Sequence, residues 1–186
     1  MNQELEFEAK SMLNEQSFAQ LLQSFSVKME QAVTQHNHYF ETPDFRLKKA
    51  ETALRIREIA DKYTLTLKEP LEDGLLETHE IVSKQEAERA FSTNALPKGQ
   101  IASRLEAKSI PINQLQYVGK LSTNRIEIRY QDGLLCFDRS TYFNKTDYEL
   151  EFEGKNHSHA VTVLSSILNE HQLKQLSAPN KVRRFF

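Results

Sequence analysis

The sequence predicts an α+β protein in which an antiparallel sheet of eight strands closes, or nearly closes, into a barrel with flanking helices. Three observations lead to this prediction. Alternation of polar and apolar residues with a period of two dominates the chain. Most of the alternating segments follow one another closely enough to form hairpins. Helical spacing appears only in a few short segments between them.

The elements can be justified in chain order. The segment ELEFEAK alternates strictly, and the next segment places Phe18, Leu21, Leu22 and Phe25 on one helical face. Later strands are separated by short turns, of which Asp132-Gly133 gives the strongest hairpin signal. Strands are predicted at 4–10, 32–42, 51–61, 62–70, 75–83, 117–130, 134–143 and 147–153. Helices are predicted at 13–25, 84–91 and 159–173, with a weaker pattern at 101–108.

Bulk composition narrows the function classes. The 186 residues have no repeat or composition break, which predicts a single domain over residues 1–186. A net charge of -2 provides no general attraction to nucleic acid. The N-terminal residues lack the features of a signal peptide, and no apolar run approaches a membrane span, so a cytoplasmic location is expected. The only cysteine, Cys136, is expected to be a buried strand residue rather than a nucleophile.

The polar faces of several strands carry charges mostly of one sign. Because successive side chains of a strand point to opposite sides, every second residue shares a face. The first and last strands carry glutamates in this way, whereas strands between them carry arginine or lysine. The faces are Glu4-Glu6-Glu8-Lys10, Arg55-Arg57, Thr64-Thr66-Lys68, Arg125-Glu127-Arg129 and Glu149-Glu151-Glu153.

These faces together favour a bound ligand, although any one of them alone would be expected to meet water. Exposed strands usually mix signs, because directly opposed like charges repel. Clustered carboxylates are typical of a divalent-cation site, and clustered arginine and lysine are typical of a polyanion site. A barrel that turns this charged face inward therefore predicts a metal-bound polyphosphate as its ligand.

Five motifs occur in a fixed order along nearly the whole chain. The first is the E-x-E-x-K pattern Glu6-Phe7-Glu8-Ala9-Lys10. The others are Tyr39-Phe40-Glu41-Thr42 with Leu54-Arg55-Ile56-Arg57, Leu65-Thr66-Leu67-Lys68-Glu69-Pro70, Thr123-Asn124-Arg125, and Asp138 with Glu149-Leu150-Glu151, followed by a basic segment at 181–184. In these motifs and their order, the sequence resembles the CYTH superfamily of triphosphate tunnel metalloenzymes, and most closely a subgroup from Firmicutes. The resemblance implies an eight-stranded antiparallel tunnel.

The resemblance also implies roles for individual residues. Acidic residues are expected to hold Mg²⁺ or Mn²⁺, the cations that suit oxygen-only ligands. The implied metal ligands are Glu6, Glu8, Asp138, Glu149 and Glu151. The implied phosphate-binding residues are Lys10, Arg55, Arg57, Lys68, Lys120, Arg125 and Lys181, and among them Lys10, Arg57 and Lys68 are expected to act in catalysis. The roles of Glu4, Glu41, Glu153 and Arg184 stay open.

The favoured function is metal-dependent hydrolysis of inorganic triphosphate or of a small organic triphosphate such as thiamine triphosphate, because this reaction needs only phosphate-binding residues. Two alternatives stay open: an adenylate cyclase that converts ATP into cyclic AMP and pyrophosphate, and a non-catalytic module that binds polyphosphate or a nucleotide. The expected partner is a small triphosphate, without nucleic acid or a membrane, and a homodimer is compatible with the sequence. The pairs His36-x-His38 and His157-x-His159 are expected to be surface residues rather than metal ligands.

Overall fold

The structure is a computed structural model that describes residues 2–185. Met1 and Phe186, the ends of the predicted domain, lie outside the described residues. The strands are β1 Asn2–Glu6, β2 Glu8–Leu13, β3 Val33–Glu41, β4 Ala53–Ile59, β5 Lys62–Leu71, β6 Gly74–Val82, β7 Gln116–Tyr130, β8 Gly133–Tyr142 and β9 Lys145–Glu153. The helices are α1 Glu15–Ser24, α2 Arg46–Lys49, α3 Lys84–Thr93, α4 Gln100–Ala107 and α5 His157–Glu170.

The chain folds as two compact units that are interleaved in sequence. The first unit comprises residues up to Leu5, residues 36–121 and residues from Lys181 onward, and the second comprises residues 6–35 and 122–180. Hydrogen-bonded strands run in the order β1-β6-β5-β4-β3 through the first unit and β7-β8-β9-β2 through the second. The prediction of one domain stays a prediction.

The first unit is built on antiparallel pairing of β3 with β4, β4 with β5 and β5 with β6. Strand β4 alternates as predicted, because Leu54 and Ile56 are fully buried while Arg55 and Arg57 take the opposite face. The core of this unit joins the apolar face of β4 and β5 to residues of α3 and α4 such as Ala87 and Leu105. Those two helices leave the other face of the strands to charged side chains.

The second unit pairs β7 with β8, β8 with β9 and β9 with β2, again antiparallel. Its core contains Phe137 and Phe152 from the strands, Phe18 and Leu21 from α1, and a row of aliphatic residues from α5. Both long helices begin at an asparagine cap, since the side chains of Asn14 and Asn156 accept hydrogen bonds from backbone N–H groups three residues later. The spacing of apolar residues predicted α1 and α5 correctly to within three residues at each end.

Within residues 2–185, the main departures from the predicted elements are a divided first strand and an additional short helix. The strand predicted at 4–10 is divided at Phe7, whose carbonyl accepts a hydrogen bond from the N–H of Gly154 at 2.8 Å. Residues 2–185 therefore contain nine strands instead of the predicted eight. The four-residue helix α2 was not predicted, because one turn is too short to produce a periodic pattern. The antiparallel α+β class itself is confirmed.

Candidate active site

The strand register of the second unit brings its acidic residues together. Glu149 lies opposite Asp138 of β8, and Glu151 lies opposite Lys10 of β2. The intervening Leu150 enters the core, so Glu149 and Glu151 share the other face of β9. Both glutamates are buried, and Asp138 is inaccessible to solvent. These carboxylates therefore do not form the solvated strand face that a single alternating segment would suggest.

Three-carboxylate groups occur within this acidic cluster, which we define as Glu6, Glu8, Asp138, Glu149 and Glu151. In one group, oxygens of Glu6, Glu8 and Glu151 all lie within 4.8 Å of one another. In a second group, the same limit holds for oxygens of Asp138, Glu149 and Glu151. Glu151 belongs to both, and a donor set made only of carboxylate oxygens suits a hard divalent cation such as Mg²⁺ or Mn²⁺.

Arg125 lies inside the acidic cluster and forms a bidentate ion pair with Asp138. Its Nε and Nη2 groups donate hydrogen bonds of 2.7 Å to the two oxygens of Asp138, and Nη2 also donates to Glu151 at 3.2 Å. Burial disfavours the charged guanidinium, but Asp138 and Glu151 outweigh burial and raise the pKa of Arg125 above its usual value. Arg125 thus neutralises carboxylates in the structure, in addition to its proposed contact with phosphate.

Lys10 borders the same cluster. Its Nζ lies 2.9 Å from Glu8 Oε1 and donates a hydrogen bond of 2.8 Å to the side-chain oxygen of Asn180. The residue pairs with Glu151 across the β2–β9 ladder. The E-x-E-x-K motif therefore contributes its two carboxylates and its ammonium group to one cluster of charges.

The first unit holds a second cluster, the basic cluster, which we define as Arg55, Lys68, Glu77 and His79. Lys68 and Glu77 are paired across the β5–β6 ladder, with 2.9 Å between Nζ and Oε1. Arg55 Nη2 lies 3.8 Å from the same oxygen, and His79 Nε2 lies 3.2 Å from the other. Burial opposes ionisation of Glu77, but His79, Lys68 and Arg55 outweigh burial and lower the pKa of Glu77 far below its usual range.

The remaining predicted phosphate ligands are also in the first unit. Arg57 is held by the buried Asn37, whose side-chain oxygen accepts a 2.9 Å hydrogen bond from Arg57 Nε. Lys120 is exposed on β7, and Lys181 is half-buried at the start of a 3₁₀ helix, Lys181–Phe185. Arg55, Arg57 and Lys68 thus have defined neighbours in the structure, whereas Lys120 projects from an exposed position.

Sequence inspection missed Glu77, His79 and Asn37. The signal for Glu77 was present, because the turn at Glu72-Asp73 sets a register that pairs Lys68 with Glu77. Nothing in the sequence marks Asn37, a neutral residue between His36 and His38. The expectation of surface histidines is wrong for His38, which stacks on Phe91 with ring centroids 4.0 Å apart and is 8% exposed. Cys136 is buried as predicted, and burial raises the pKa of its thiol.

Comparison with known proteins places this arrangement in a family. The CYTH domain model matches residues 4–186, and the chain belongs to the CYTH family. A Bacillus subtilis (strain 168) protein named "Putative triphosphatase YjbK" is 39% identical over 186 residues, which cover 100% of this chain and 96% of that protein. The family resemblance drawn from the five motifs is confirmed.

Solved structures agree with this assignment. A "putative adenylate cyclase" from Bacillus halodurans is 44% identical, with a TM-score of 0.95 over 100% of both chains. A Hippeastrum protein described as a "putative adenylyl cyclase" with a dominant triphosphatase activity is 22% identical, with a TM-score of 0.77 over 97% of this chain and 94% of that one. The first likeness shows that the fold is that of the family, and the second supports the fold alone. Within residues 2–185, the helices are too short or too polar to cross a membrane.

Proposed function

We propose that the protein is a metal-dependent triphosphatase that hydrolyses inorganic triphosphate or a small organic triphosphate. The observation that carries this proposal is Glu151, which belongs to two groups of three carboxylates. The donor chemistry of these groups fits Mg²⁺ or Mn²⁺. The 39% identical Bacillus subtilis protein, whose name designates a triphosphatase, adds support.

The proposal assigns complementary tasks to the two clusters. Glu6, Glu8, Glu149 and Glu151, with Asp138 as a further ligand, would hold the cation, which supplies neutralisation of charge on the phosphate oxygens. Arg55, Arg57 and Lys68 would bind and orient phosphates, and Lys10 would add charge beside Glu8. The proposed set of phosphate-binding residues also includes Lys120, Arg125 and Lys181.

Substitution of the E-x-E carboxylates tests the function. Glu6→Gln and Glu8→Gln keep the side-chain size but remove charge from a metal-binding group, so we expect phosphate release from triphosphate to fall by about a hundredfold or more. Release would be measured with Mg²⁺ and with Mn²⁺. Glu30→Gln, at an exposed glutamate outside both clusters, is the matched control and should keep wild-type turnover. Near-wild-type turnover in both Glu6→Gln and Glu8→Gln would refute the assignment.

Adenylate cyclase activity is a second candidate, favoured by the description of the 44% identical Bacillus halodurans structure. A panel of inorganic triphosphate, thiamine triphosphate and ATP, scored for phosphate and for cyclic AMP, separates the two reactions. Cyclic AMP with pyrophosphate as the main products would favour the cyclase. Tight binding of every substrate without turnover would favour the non-catalytic module.

A further inference from the structure

Glu77 is a buried carboxylate that lies among the predicted phosphate-binding bases without belonging to any of the five motifs. It is 8% exposed. One of its oxygens faces two bases, with Lys68 Nζ at 2.9 Å and Arg55 Nη2 at 3.8 Å. The other oxygen faces His79 Nε2 at 3.2 Å. A single carboxylate therefore contacts three of the nitrogen-bearing side chains on this face of the sheet.

Contacts behind Glu77 hold His79 in place. His79 Nδ1 lies 3.0 Å from the hydroxyl oxygen of Thr66, a buried residue directly opposite on β5. Glu4 of β1 approaches the same ring from the exposed side, at 4.0 Å. Both ring nitrogens of His79 thus have partners, and the row Thr66–His79–Glu77 fixes the orientation of the carboxylate toward Lys68.

This arrangement has a defined physical consequence for the bases. A lysine side chain has four rotatable bonds and loses considerable rotamer freedom when it is held in one position. The strands fix the Cα positions of Arg55 and Lys68, and a charged partner restricts the ammonium and guanidinium groups themselves. Glu77 is such a partner for both, and its own charge is stabilised by the bases around it.

We propose that Glu77 is a positioning residue for the triphosphate reaction, which holds Lys68 and Arg55 in the geometry that the transferred phosphate requires, with His79 and Thr66 orienting Glu77. The proposal rests on the proposed triphosphatase function. Glu77 itself acts through the two bases and does not contact the reacting atoms.

Replacement by glutamine separates positioning from simple charge effects. Glu77→Gln keeps the shape of the side chain but loses its charge, so Lys68 and Arg55 are held less firmly and the carboxylate no longer neutralises their positive charges. We expect kcat for triphosphate to fall about tenfold to a hundredfold, because orientation is lost in the transition state. The KM should stay the same or fall, because the uncompensated bases still attract the anion. Glu77→Asp should recover part of kcat.

Glu69 provides the matched control. It is a buried glutamate of β5 that pairs with two bases, Arg104 Nε at 2.7 Å and Lys108 Nζ at 3.2 Å, neither of which is a predicted phosphate ligand. Glu69→Gln should lower the melting temperature at least as much as Glu77→Gln but leave kcat and KM unchanged. Equal loss of kcat in the two variants would reduce the role of Glu77 to general stability and overturn the proposal.

A second measurement does not depend on turnover. Acylation of Lys68 by an amine-reactive reagent, followed by mass spectrometry, reports how firmly the ammonium group is held. Loss of the carboxylate lowers the pKa of a neighbouring lysine and frees the amine, so Lys68 should react about tenfold faster in Glu77→Gln than in the wild type or in Glu69→Gln. An unchanged rate at Lys68 would overturn the proposal. Faster labelling of Lys68 in Glu77→Gln, combined with a wild-type protein that releases no phosphate, would instead refute the triphosphatase function while leaving the positioning of Lys68 in place.

Discussion

At the scale of single residues, burial and partners decide what each ionisable group does. Arg125 was predicted as a phosphate ligand on its motif alone, yet its guanidinium forks onto Asp138 at 2.7 Å. The bidentate geometry requires arginine, because a lysine ammonium cannot bond both carboxylate oxygens in one plane. Alternation could predict which face Arg125 occupies, but not which partner it meets, since partners depend on strand order.

His38 is the residue that sequence reasoning placed most poorly. Its pattern, His36-x-His38, suggested two exposed rings, but His38 packs on Phe91 and lies 3.0 Å from the hydroxyl of Tyr117 through Nδ1. Burial lowers its pKa to about 4, against the opposing effect of Glu58. The neutral ring of His38 is therefore packed inside the first unit, and protonation of this ring destabilises the folded state.

Protein stability should depend on pH through His38. Because its folded pKa lies below the unfolded value of 6.5, its contribution is fully present above pH 6.5 and is lost as the pH falls toward 4. The free energy of unfolding should fall by about 2 kcal/mol between pH 7 and pH 5 on account of this residue. Urea unfolding at several pH values measures the slope, which should flatten in His38→Gln and persist in the exposed-site control His157→Gln. An identical slope in wild type and His38→Gln would contradict the prediction.

At the scale of elements, side-chain contacts form structure that periodicity cannot reveal. Glu41 was left without a role, and α2 was not predicted. The two are connected, because the buried carboxylate of Glu41 accepts hydrogen bonds from the backbone N–H groups of Thr42 at 2.7 Å, Leu47 at 3.0 Å and Lys48 at 2.8 Å. Glu41 thus satisfies the N-terminal donors of a helix whose preceding residue, Phe45, has φ of 57° and makes no side-chain cap.

Loss of the Glu41 carboxylate should destabilise the first unit. Glu41→Ala leaves several buried backbone donors without an acceptor, so we expect the free energy of unfolding to fall by about 2–4 kcal/mol. The free energy of unfolding of Glu41→Gln should lie between those of Glu41→Ala and the wild type, because glutamine replaces one of the two carboxylate acceptors with a donor. Urea titration gives these values. The control is Glu51→Gln at an exposed position, where the free energy of unfolding should change by about 0.5 kcal/mol or less. A similarly small change in Glu41→Ala would disprove the capping role of Glu41.

The division of the first predicted strand also arises from hydrogen bonds that sequence periodicity does not reveal. Polar and apolar residues continue to alternate through Phe7, so the sequence contains no sign of a break. The break is visible only in the hydrogen bonds, since β2 pairs with β9 from Glu8 onward while the carbonyl of Phe7 turns to Gly154. Glu4 and Glu8, which appeared to share one face, consequently belong to different units.

At the scale of the whole molecule, the small net charge conceals an uneven distribution. Acidic residues outnumber basic ones in the second unit, and basic residues outnumber acidic ones in the first. The E-x-E motifs and the L-R-I-R motif made this segregation predictable from the sequence. The interleaving of the two units was not, because neither composition nor turn signals change at Gln35 or Leu121.

The acidic cluster predicts that a divalent cation raises the thermal stability of the protein. Glu6, Glu8, Asp138, Glu149 and Glu151 carry more negative charge than Arg125 and Lys10 neutralise. Mg²⁺ or Mn²⁺ bound only to the folded protein should therefore stabilise it, by about 2.7 kcal/mol at a hundredfold excess over Kd. For a protein of this size, that corresponds to a rise in melting temperature of roughly 5–10 °C.

Scanning fluorimetry with EDTA, Mg²⁺ and Mn²⁺ measures this rise directly. Glu151→Gln should abolish most of it, because Glu151 belongs to both three-carboxylate groups, whereas Glu30→Gln should retain it in full. A wild-type melting temperature that does not respond to either cation, or an equal response in Glu151→Gln, would show that these carboxylates do not hold the metal.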